Sequence, residues 1–420
     1  MTAPTPAERT VLRRLATAVR DIALHPGMAA RRHRLAEHGA LRGDRPVVLV
    51  SPEGAWDELV PPASLVCRDP LLRGWELQLR RKIHWWNRLR DDGALEPWLD
   101  VAVRHHLGDW GVPITYRHGA DRGSYHWEPP LRDLDGDLRR LHPRTMVIDH
   151  QATRADLDLA QELVGDLLPP RTQADYFWTM GLTWDAITLY GLERFLVALA
   201  EDPDGVERLL AFLRDDLLGI LDQIDAQRGW TPNARSGQVC SGGSGLCADL
   251  PADGAAGTRQ RWGFAESQET VGVSPRMFAA HVLPYQVPLL ERFGLNGYGC
   301  CEAVHQRLDA ILGRVPRLRR LSVSPWSDQE ACAERLGKGI IFSRKPNPAP
   351  VCVGFQEDAI RTDLARTARL AATAHIELVL KDTHTVEHQP WRIRRWIELA
   401  YQAIGVDPEP LDDLVADADG

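Results

Sequence analysis

The sequence predicts an α/β protein built around a (β/α)8 TIM-type barrel with an N-terminal helical extension. In the second half of the chain, short apolar runs alternate with amphipathic segments of 10 to 18 residues, and at least five such units follow residue 230. This alternation is typical of parallel strands joined by helical crossovers. With the earlier units the count approaches eight, which favours a barrel over an open doubly wound sheet. No GxGxxG or P-loop motif indicates a nucleotide-binding sheet.

The individual elements follow from local residue patterns. Two amphipathic helices are predicted before residue 40, with a break at His25-Pro26-Gly27. Residues 100–143, which hold many Gly, Pro and Asp residues, predict a small irregular β layer or loops. Strands are predicted where short runs of apolar and β-branched residues occur, at 46–51, 145–149, 175–182, 318–324, 339–343 and 375–381.

This pattern divides the chain into three parts. We expect residues 1–140 to form a helical and irregular extension that packs on the barrel. We expect residues 141–408 to form the barrel itself, and residues 409–420 to form an acidic tail.

Composition restricts the classes of function. The chain of 420 residues has a formal net charge of -8, which gives no global preference for nucleic acid or anionic membranes. No segment reaches about 18 consecutive apolar residues, and no secretory leader is evident, so we expect a cytoplasmic protein. Seven cysteines, an odd number, fit reduced thiols better than a disulfide framework. The expected partners are small molecules or other proteins.

Candidate functional residues follow the predicted strands. In a barrel, catalytic groups lie just after the carboxyl ends of the strands, on one rim. The residues at these positions are Glu266, Gln268, Glu269, Cys300, Cys301, Glu302, Ser324, Pro325, Trp326, Ser343, Arg344, Lys345, Asn347, Asp382 and His384.

The two adjacent cysteines suggest a metal site. Zinc prefers thiolate and imidazole ligands, and a catalytic zinc leaves one position open. Cys300 or Cys301 could bind it with His384 and one carboxylate. The third ligand would come from Glu266, Glu302 or Asp382. The spacing lacks a compact CxxC pattern, so the residues are equally compatible with free thiols.

Other rim residues have both a functional and a structural interpretation. Arg344 and Lys345 could hold a carboxylate or phosphate of a substrate, or could pair with an acid such as Asp382. Glu266 and Glu269, with Gln268 beside them, could act as general acid or base, or one could cap the following helix.

The remaining cysteines are expected to have other roles. The Gly- and Ser-rich segment between Cys240 and Cys247 resembles a flexible substrate loop. Cys67, Cys332 and Cys352 are expected to be structural.

Several motifs resemble the uroporphyrinogen decarboxylase-like superfamily. They are WGFAESQE (262–269), YGCCE (298–302), PRLRRLSVSPWSD (316–328), FSRKPNPA (342–349) and VLKDTHTV (379–386). The similarity is closest to a branch with YGCCE and KPNPA signatures and covers roughly residues 170–405. It implies a single (β/α)8 barrel. The arginine- and aspartate-bearing motif with which the true decarboxylase grips tetrapyrrole carboxylates is not visible near the N-terminus, so the resemblance does not imply haem biosynthesis.

The resemblance also implies a chemistry. Related methyltransferases bind zinc through a His-x-Cys pair and a later Cys and move methyl groups between a corrinoid and a thiol. Here Tyr298 stands where the His is expected and Cys300 matches the Cys, while Asp382 and His384 follow the last strand. This departure implies a metal site with altered ligands.

These observations predict a zinc-dependent methyl or alkyl transferase acting on a small anionic or thiol substrate. Zinc would be held by Cys300 or Cys301 and His384. The predicted catalytic residues are Glu266, Glu302 and Asp382. The predicted substrate-binding residues are Gln268, Glu269, Tyr298, Arg344, Lys345 and Asn347. The resemblance allows a corrinoid protein as methyl donor and a homodimer. The alternatives are a metal-independent decarboxylase or lyase and a corrinoid or tetrapyrrole binding module.

Overall fold

The computed structural model describes residues 3–119 and 125–409. Its strands are β1 (Val47–Val50), β2 (Leu99–Ala102), β3 (His105–Leu107), β4 (Thr115–His118), β5 (Tyr125–Glu128), β6 (Met146–Ile148), β7 (Pro170–Gln173), β8 (Gln238–Val239), β9 (Gly243–Ser244), β10 (Trp262–Ala265), β11 (Leu295–Tyr298), β12 (Leu318–Val323), β13 (Ile341–Arg344) and β14 (His375–Leu380).

The helices lie before, between and after these strands. They are α1 (Pro6–Leu24), α2 (Pro26–Gly39), α3 (Trp56–Leu59), α4 (Pro70–His84), α5 (His150–Val164), α6 (Thr183–Tyr190), α7 (Leu192–Glu201), α8 (Pro203–Ala226), α9 (Pro275–His281), α10 (Leu283–Leu290), α11 (Leu308–Arg314), α12 (Gln329–Leu336), α13 (Ala349–Cys352), α14 (Glu357–Arg369) and α15 (Trp391–Ala403).

Six strands form a central sheet in the order β1-β14-β13-β12-β11-β10, and all neighbouring pairs are parallel. Helical crossovers join the successive strands from β10 to β14, and α15 follows β14, so the α/β alternation predicted from the sequence is confirmed. Because the strands are parallel, the residues that follow them meet at one edge of the sheet, which we call the rim.

The central sheet is not closed, so the structure does not confirm the predicted eight-stranded barrel. The edge strands β1 and β10 do not pair with each other in the described chain, and side chains bond to outward backbone groups of both strands. On β1, Asp92 Oδ2 accepts from Val48 N at 2.9 Å and Asp91 Oδ2 accepts from Val50 N at 2.8 Å. On β10, the Asn233 amide exchanges two hydrogen bonds with Trp262, of 2.9 and 3.1 Å.

Two of the predicted strands do not enter the central sheet. Residues 145–149 contain β6, but it pairs antiparallel with β3. Residues 175–182 are not a strand; Trp178 is exposed, and Met180 N donates a hydrogen bond of 2.9 Å to Phe264 O of β10. The parallel pair β2 and β7 stays separate from the central sheet.

Side chains alternate between two faces of the central sheet, as the pleat requires. On the outer face, residues such as Leu321, Phe342 and Leu378 pack in a core with α8, α14 and α15. On the inner face, Arg320 Nε forms an ion pair of 2.9 Å with Glu377 Oε1, and both side chains are almost completely buried. Residues 238–247 pack against this inner face.

The N-terminal helices pack directly on the sheet. α1 and α2 begin and end close to the predicted positions, and α1, α2 and α4 share a second core with β1 and β14. β1 lies within residues 1–140, so the expected extension contributes a strand to the central sheet. The acidic tail beyond Glu409 lies outside the described residues. Within the described ranges, no helix combines the length and apolar character needed to cross a bilayer.

Candidate functional site

Two thiols, a hydroxyl and an ammonium group meet at the rim after β11. Gly299, with φ of 86°, turns the chain so that Cys300 follows the strand end. The Cys300 Sγ lies 3.5 Å from Cys301 Sγ, 3.4 Å from Ser241 Oγ and 3.6 Å from Lys381 Nζ. We call these four residues the thiol cluster. Cys300 is buried, whereas Cys301 is partly exposed.

The thiol cluster favours a thiolate at Cys300. A hydrogen bond from Cys301, together with the charge of Lys381 and the Ser241 hydroxyl, outweighs burial and lowers the Cys300 pKa to about 7. The same hydrogen bond raises the pKa of Cys301, which keeps its proton. Burial disfavours the Lys381 ammonium, but the negative charges near it raise its pKa. At pH 7 about half of the Cys300 side chains are therefore thiolates, beside the Lys381 ammonium group.

The segment expected to be a flexible substrate loop is instead packed inside the protein. Most of residues 241–247 are buried, and β9, within the segment, forms a short hairpin with β8, which precedes it. Ser244 O accepts a hydrogen bond of 2.9 Å from Arg320 Nη2. This packing fixes the Ser241 hydroxyl against Cys300, a contact that residue patterns did not reveal because Gly and Ser are usually taken to indicate mobility.

A second group of potential ligands lies at the ends of β1 and β14. One ligand atom each from Glu53, Asp382 and His384 lies within 4.8 Å of the others, and the first two residues are half-buried. Glu53 and Asp382 both have positive φ, of 47° and 57°. Lys381 Nζ also pairs with Asp382 Oδ1 at 3.2 Å. Glu53 was not predicted, although it follows a strand end as closely as the residues that were.

The structure places the predicted metal ligands in two neighbouring groups rather than one. His384 lies with Glu53 and Asp382, while Cys300 and Cys301 belong to the thiol cluster. In the described part of the chain, no group of three close metal-ligating side chains includes a thiol. The two groups are linked electrostatically, because the charge of Asp382 helps to raise the Cys301 pKa and Lys381 interacts with both.

The buried carboxyl groups of Glu302 and Glu266 lie close to the thiol cluster. Glu302 accepts hydrogen bonds from Ser267 N at 2.9 Å and from Cys300 N at 2.8 Å. Glu266 accepts from Gln268 N at 2.9 Å through Oε2, while its Oε1 has no hydrogen-bond partner among the described residues. Burial, followed by the charges of Glu269 and Glu302, raises the Glu266 pKa to about 9. Glu266 is therefore a protonated carboxyl at neutral pH.

Three residues predicted to bind substrate lie away from the thiol cluster. Tyr298 is buried and donates to Gln286 Oε1 at 2.7 Å. Arg344 points to the outer face, where it donates to Ser324 O at 2.7 Å and pairs with Asp363 at 3.0 Å. Asn347 is exposed and caps the turn before α13 by accepting from Ala349 N at 3.0 Å.

The other predicted substrate-binding residues are closer to the site. Lys345 lies on the inner face, because it is one position from Arg344, and its ammonium donates to Ser343 Oγ. Burial lowers the Lys345 pKa to about 8. Glu269 accepts from Thr183 Oγ1 at 2.6 Å, and Gln268 is half-buried beside it.

Comparisons with known proteins support the fold. No protein-family model and no curated protein matches the chain. A methyltransferase from Methanosarcina mazei has a similar structure, with a TM-score of 0.50 and 13% sequence identity, covering 89% of this chain and 99% of that chain. At this identity the similarity shows a shared α/β fold alone.

Proposed function

We propose that the protein is a zinc-dependent methyl or alkyl transferase of the uroporphyrinogen decarboxylase-like superfamily, acting on a small anionic or thiol substrate. The observation that carries the proposal is the Cys300 thiol, which lies beside Lys381 on the rim, has a pKa lowered to about 7 and is next to a three-ligand group. Alkyl transfer involving sulfur requires a thiolate, because the protonated thiol is a weak nucleophile. The fold shared with a methyltransferase supports the same reaction class.

The residues at the ends of β1 and β14 fit a catalytic zinc ion. Such an ion takes three protein ligands from imidazole, carboxylate or thiolate and keeps a position for substrate. Glu53, Asp382 and His384 supply this set, with ligand atoms within 4.8 Å of one another. The charge of Asp382 is among the causes that raise the pKa of the neighbouring Cys301. We propose that Cys301, on losing its proton, joins these residues as a fourth ligand, and that the substrate takes a fifth position, because catalytic zinc can become five-coordinate. Bound zinc would act as a Lewis acid that lowers the pKa of a substrate thiol.

The residues of the chain itself have distinct proposed roles. Lys381 stabilises negative charge on Cys300, and Glu302 fixes the Cys300 backbone by accepting its N–H. The Glu266 carboxyl keeps its proton at neutral pH and can give it to a leaving group. Arg344 is assigned no role, because it points to the outer face.

A metal-independent decarboxylase or lyase is the second candidate function, and the protonation state of Glu266 favours it. A carboxyl that remains protonated at neutral pH can protonate a carbanion after loss of carbon dioxide. The cations that would stabilise such a carbanion are Lys345, on the inner face, and Lys381, on the rim. In this reaction Cys300 and Cys301 would be structural.

Metal analysis separates the two candidates. We expect about one zinc ion per chain in protein purified without chelators, measured by elemental analysis. The variants Glu53→Gln, His384→Asn and Cys301→Ser should lose most of it. His388→Asn is the matched control, because His388 is an exposed histidine of the same segment outside the ligand group. Absence of zinc from the wild-type protein would contradict the transferase proposal and favour the lyase.

A further inference from the structure

A cavity lies between the open edges of the central sheet. It has a volume of about 820 Å³ and is lined by Leu49 and Val50 of β1 and by Trp262 and Phe264 of β10. Residues 238–240 form another part of its wall. Cys300, Lys381 and His384 do not line it, so the cavity is a separate site from the thiol cluster and the proposed metal ligands. Its volume is typical of a pocket for a small organic molecule.

The walls of the cavity are strongly aromatic. Six tryptophans line it, Trp56, Trp85, Trp98, Trp178, Trp230 and Trp262. Trp178 is 54% exposed even though it lies beside buried rings. Aromatic side chains offer flat apolar surfaces on which a planar ring can stack with little loss of conformational entropy. The shape and composition of the walls therefore favour a ligand that contains aromatic rings.

Most of the positive charges around the cavity already have partners. Lys82 Nζ pairs with Asp100 Oδ2 at 3.1 Å. Arg235 donates to Ala252 O at 2.9 Å, and Arg261 donates to Ala174 O at 3.2 Å. Each of these cations already forms an ion pair or a hydrogen bond within the protein, so it is a poor site for a ligand anion.

Arg81 differs from the other cations of the cavity. In the residues that the structure describes, its guanidinium makes no hydrogen bond or ion pair, and its Nε is buried without a partner. The guanidinium lies over the Trp56 ring, 5.3 Å from the centroid. Burial lowers the Arg81 pKa, and the charge of Asp57 offsets this only in part. A stacked guanidinium keeps its in-plane N–H groups available for a carboxylate, sulfonate or phosphate.

We infer that this cavity binds a compound with up to three aromatic rings and a single anionic group, with the rings between the tryptophans and the anion on Arg81. One anionic group matches the one lining cation that makes no hydrogen bond or ion pair in the described chain. The inference does not depend on the reaction at Cys300, because none of the thiol cluster is needed to form the cavity wall named here.

A matched pair of fluorescent probes tests the inference. The anionic probe 8-anilinonaphthalene-1-sulfonate and the uncharged N-phenyl-1-naphthylamine share their ring system and differ in the sulfonate. We expect the anionic probe to bind once per chain and to quench tryptophan fluorescence. Arg81→Gln should weaken its binding by about tenfold or more, the loss typical of a charge-assisted hydrogen bond. Binding of the uncharged probe should change little.

Control variants make either outcome informative. Arg276→Gln removes an exposed arginine that does not line the cavity and should leave both probes unaffected. Arg81→Lys keeps the charge without the planar fork and should bind the anionic probe with intermediate affinity. Equal affinity of Arg81→Gln and wild type for the anionic probe would overturn the inference. Unchanged binding of both probes to Cys300→Ser would show that the cavity binds its ligand independently of the proposed reaction at Cys300.

Discussion

The Lys381 ammonium lies 3.6 Å from the Cys300 sulfur, and the two side chains come from strand ends that are separated by two intervening strands of the sheet. Because the strands are parallel, their carboxyl ends bring distant parts of the sequence to one rim. The pair combines a buried thiolate with a charge that stabilises it. Its chemical consequence is a nucleophile that is ionised to a large extent near neutral pH.

Replacing Lys381 by methionine should reduce the thiolate fraction of Cys300. The substitution keeps the length of the side chain but removes the positive charge that helps to lower the Cys300 pKa. A rise of one pKa unit from about 7 would reduce the thiolate fraction at pH 7 from about a half to about a tenth. The ultraviolet absorbance of the thiolate, followed as a function of pH, measures this change. Lys338→Met, at the amino ends of the strands, is the control; an unshifted titration in Lys381→Met would contradict the pairing.

Replacing Glu266 by glutamine should stabilise the protein increasingly as pH rises. The Glu266 pKa is about 9 in the folded protein and near 4.5 in the unfolded chain. The folded state thus retains a proton that the unfolded state loses. As pH rises from about 4.5 to about 9, the free energy of unfolding of the wild-type protein therefore falls, by up to about 1.4 kcal/mol per pH unit. Glutamine removes this dependence.

Urea unfolding at about pH 5 and about pH 8 measures the Glu266 effect. The difference in the free energy of unfolding between Glu266→Gln and wild type should be larger at the higher pH. Glu330→Gln is the control, because Glu330 is exposed and pairs with Arg366 at the surface. A difference that is independent of pH would show that Glu266 is ionised in the folded protein.

Replacing Gly243 by alanine should loosen the segment that holds Ser241. A Cβ at Gly243 would lie 2.6 Å from the guanidinium of Arg320 and from Glu377 Oε1, closer than packed atoms tolerate. Overpacking of this kind typically costs about 1–3 kcal/mol. It should also raise the Cys300 pKa, since the Ser241 hydroxyl helps to lower it.

Gly237→Ala is the matched control for Gly243→Ala. It directly precedes the segment, and a Cβ there would meet no atom within 4 Å. Thermal unfolding of both variants, together with the thiolate titration, tests the packed segment. If the two variants have the same unfolding temperature and the same Cys300 titration, residues 238–247 do not pack tightly against the inner face.

The position of most site residues could be predicted because one local rule governs them. Cys300, Glu302, Asp382 and His384 follow apolar runs that are recognisable as strands, and parallel strands present their carboxyl ends together. Glu53 obeys the same rule but was missed, since β1 was assigned to the extension and not to the sheet.

Other features depend on contacts that local patterns do not contain. Arg344 and Lys345 are adjacent, and only the register of β13 decides which of them reaches the inner face. The burial of Ser241 depends on Arg320 and Glu377, which are distant in the sequence. The side chains that bond to the edges of β1 and β10 also lie outside both strands. Counting strand-like runs in the sequence therefore predicted a closed barrel, whereas the sheet is open.

The side-chain bonds at the two edges of the sheet also affect association between molecules. An exposed strand edge normally offers unpaired N–H and C=O groups on which a strand of another chain can grow a continuous sheet. Here Asp91, Asp92 and Asn233 already occupy such groups on β1 and β10. The sheet can therefore stay open without becoming a template for aggregation, and the gap remains available as an entrance for small molecules.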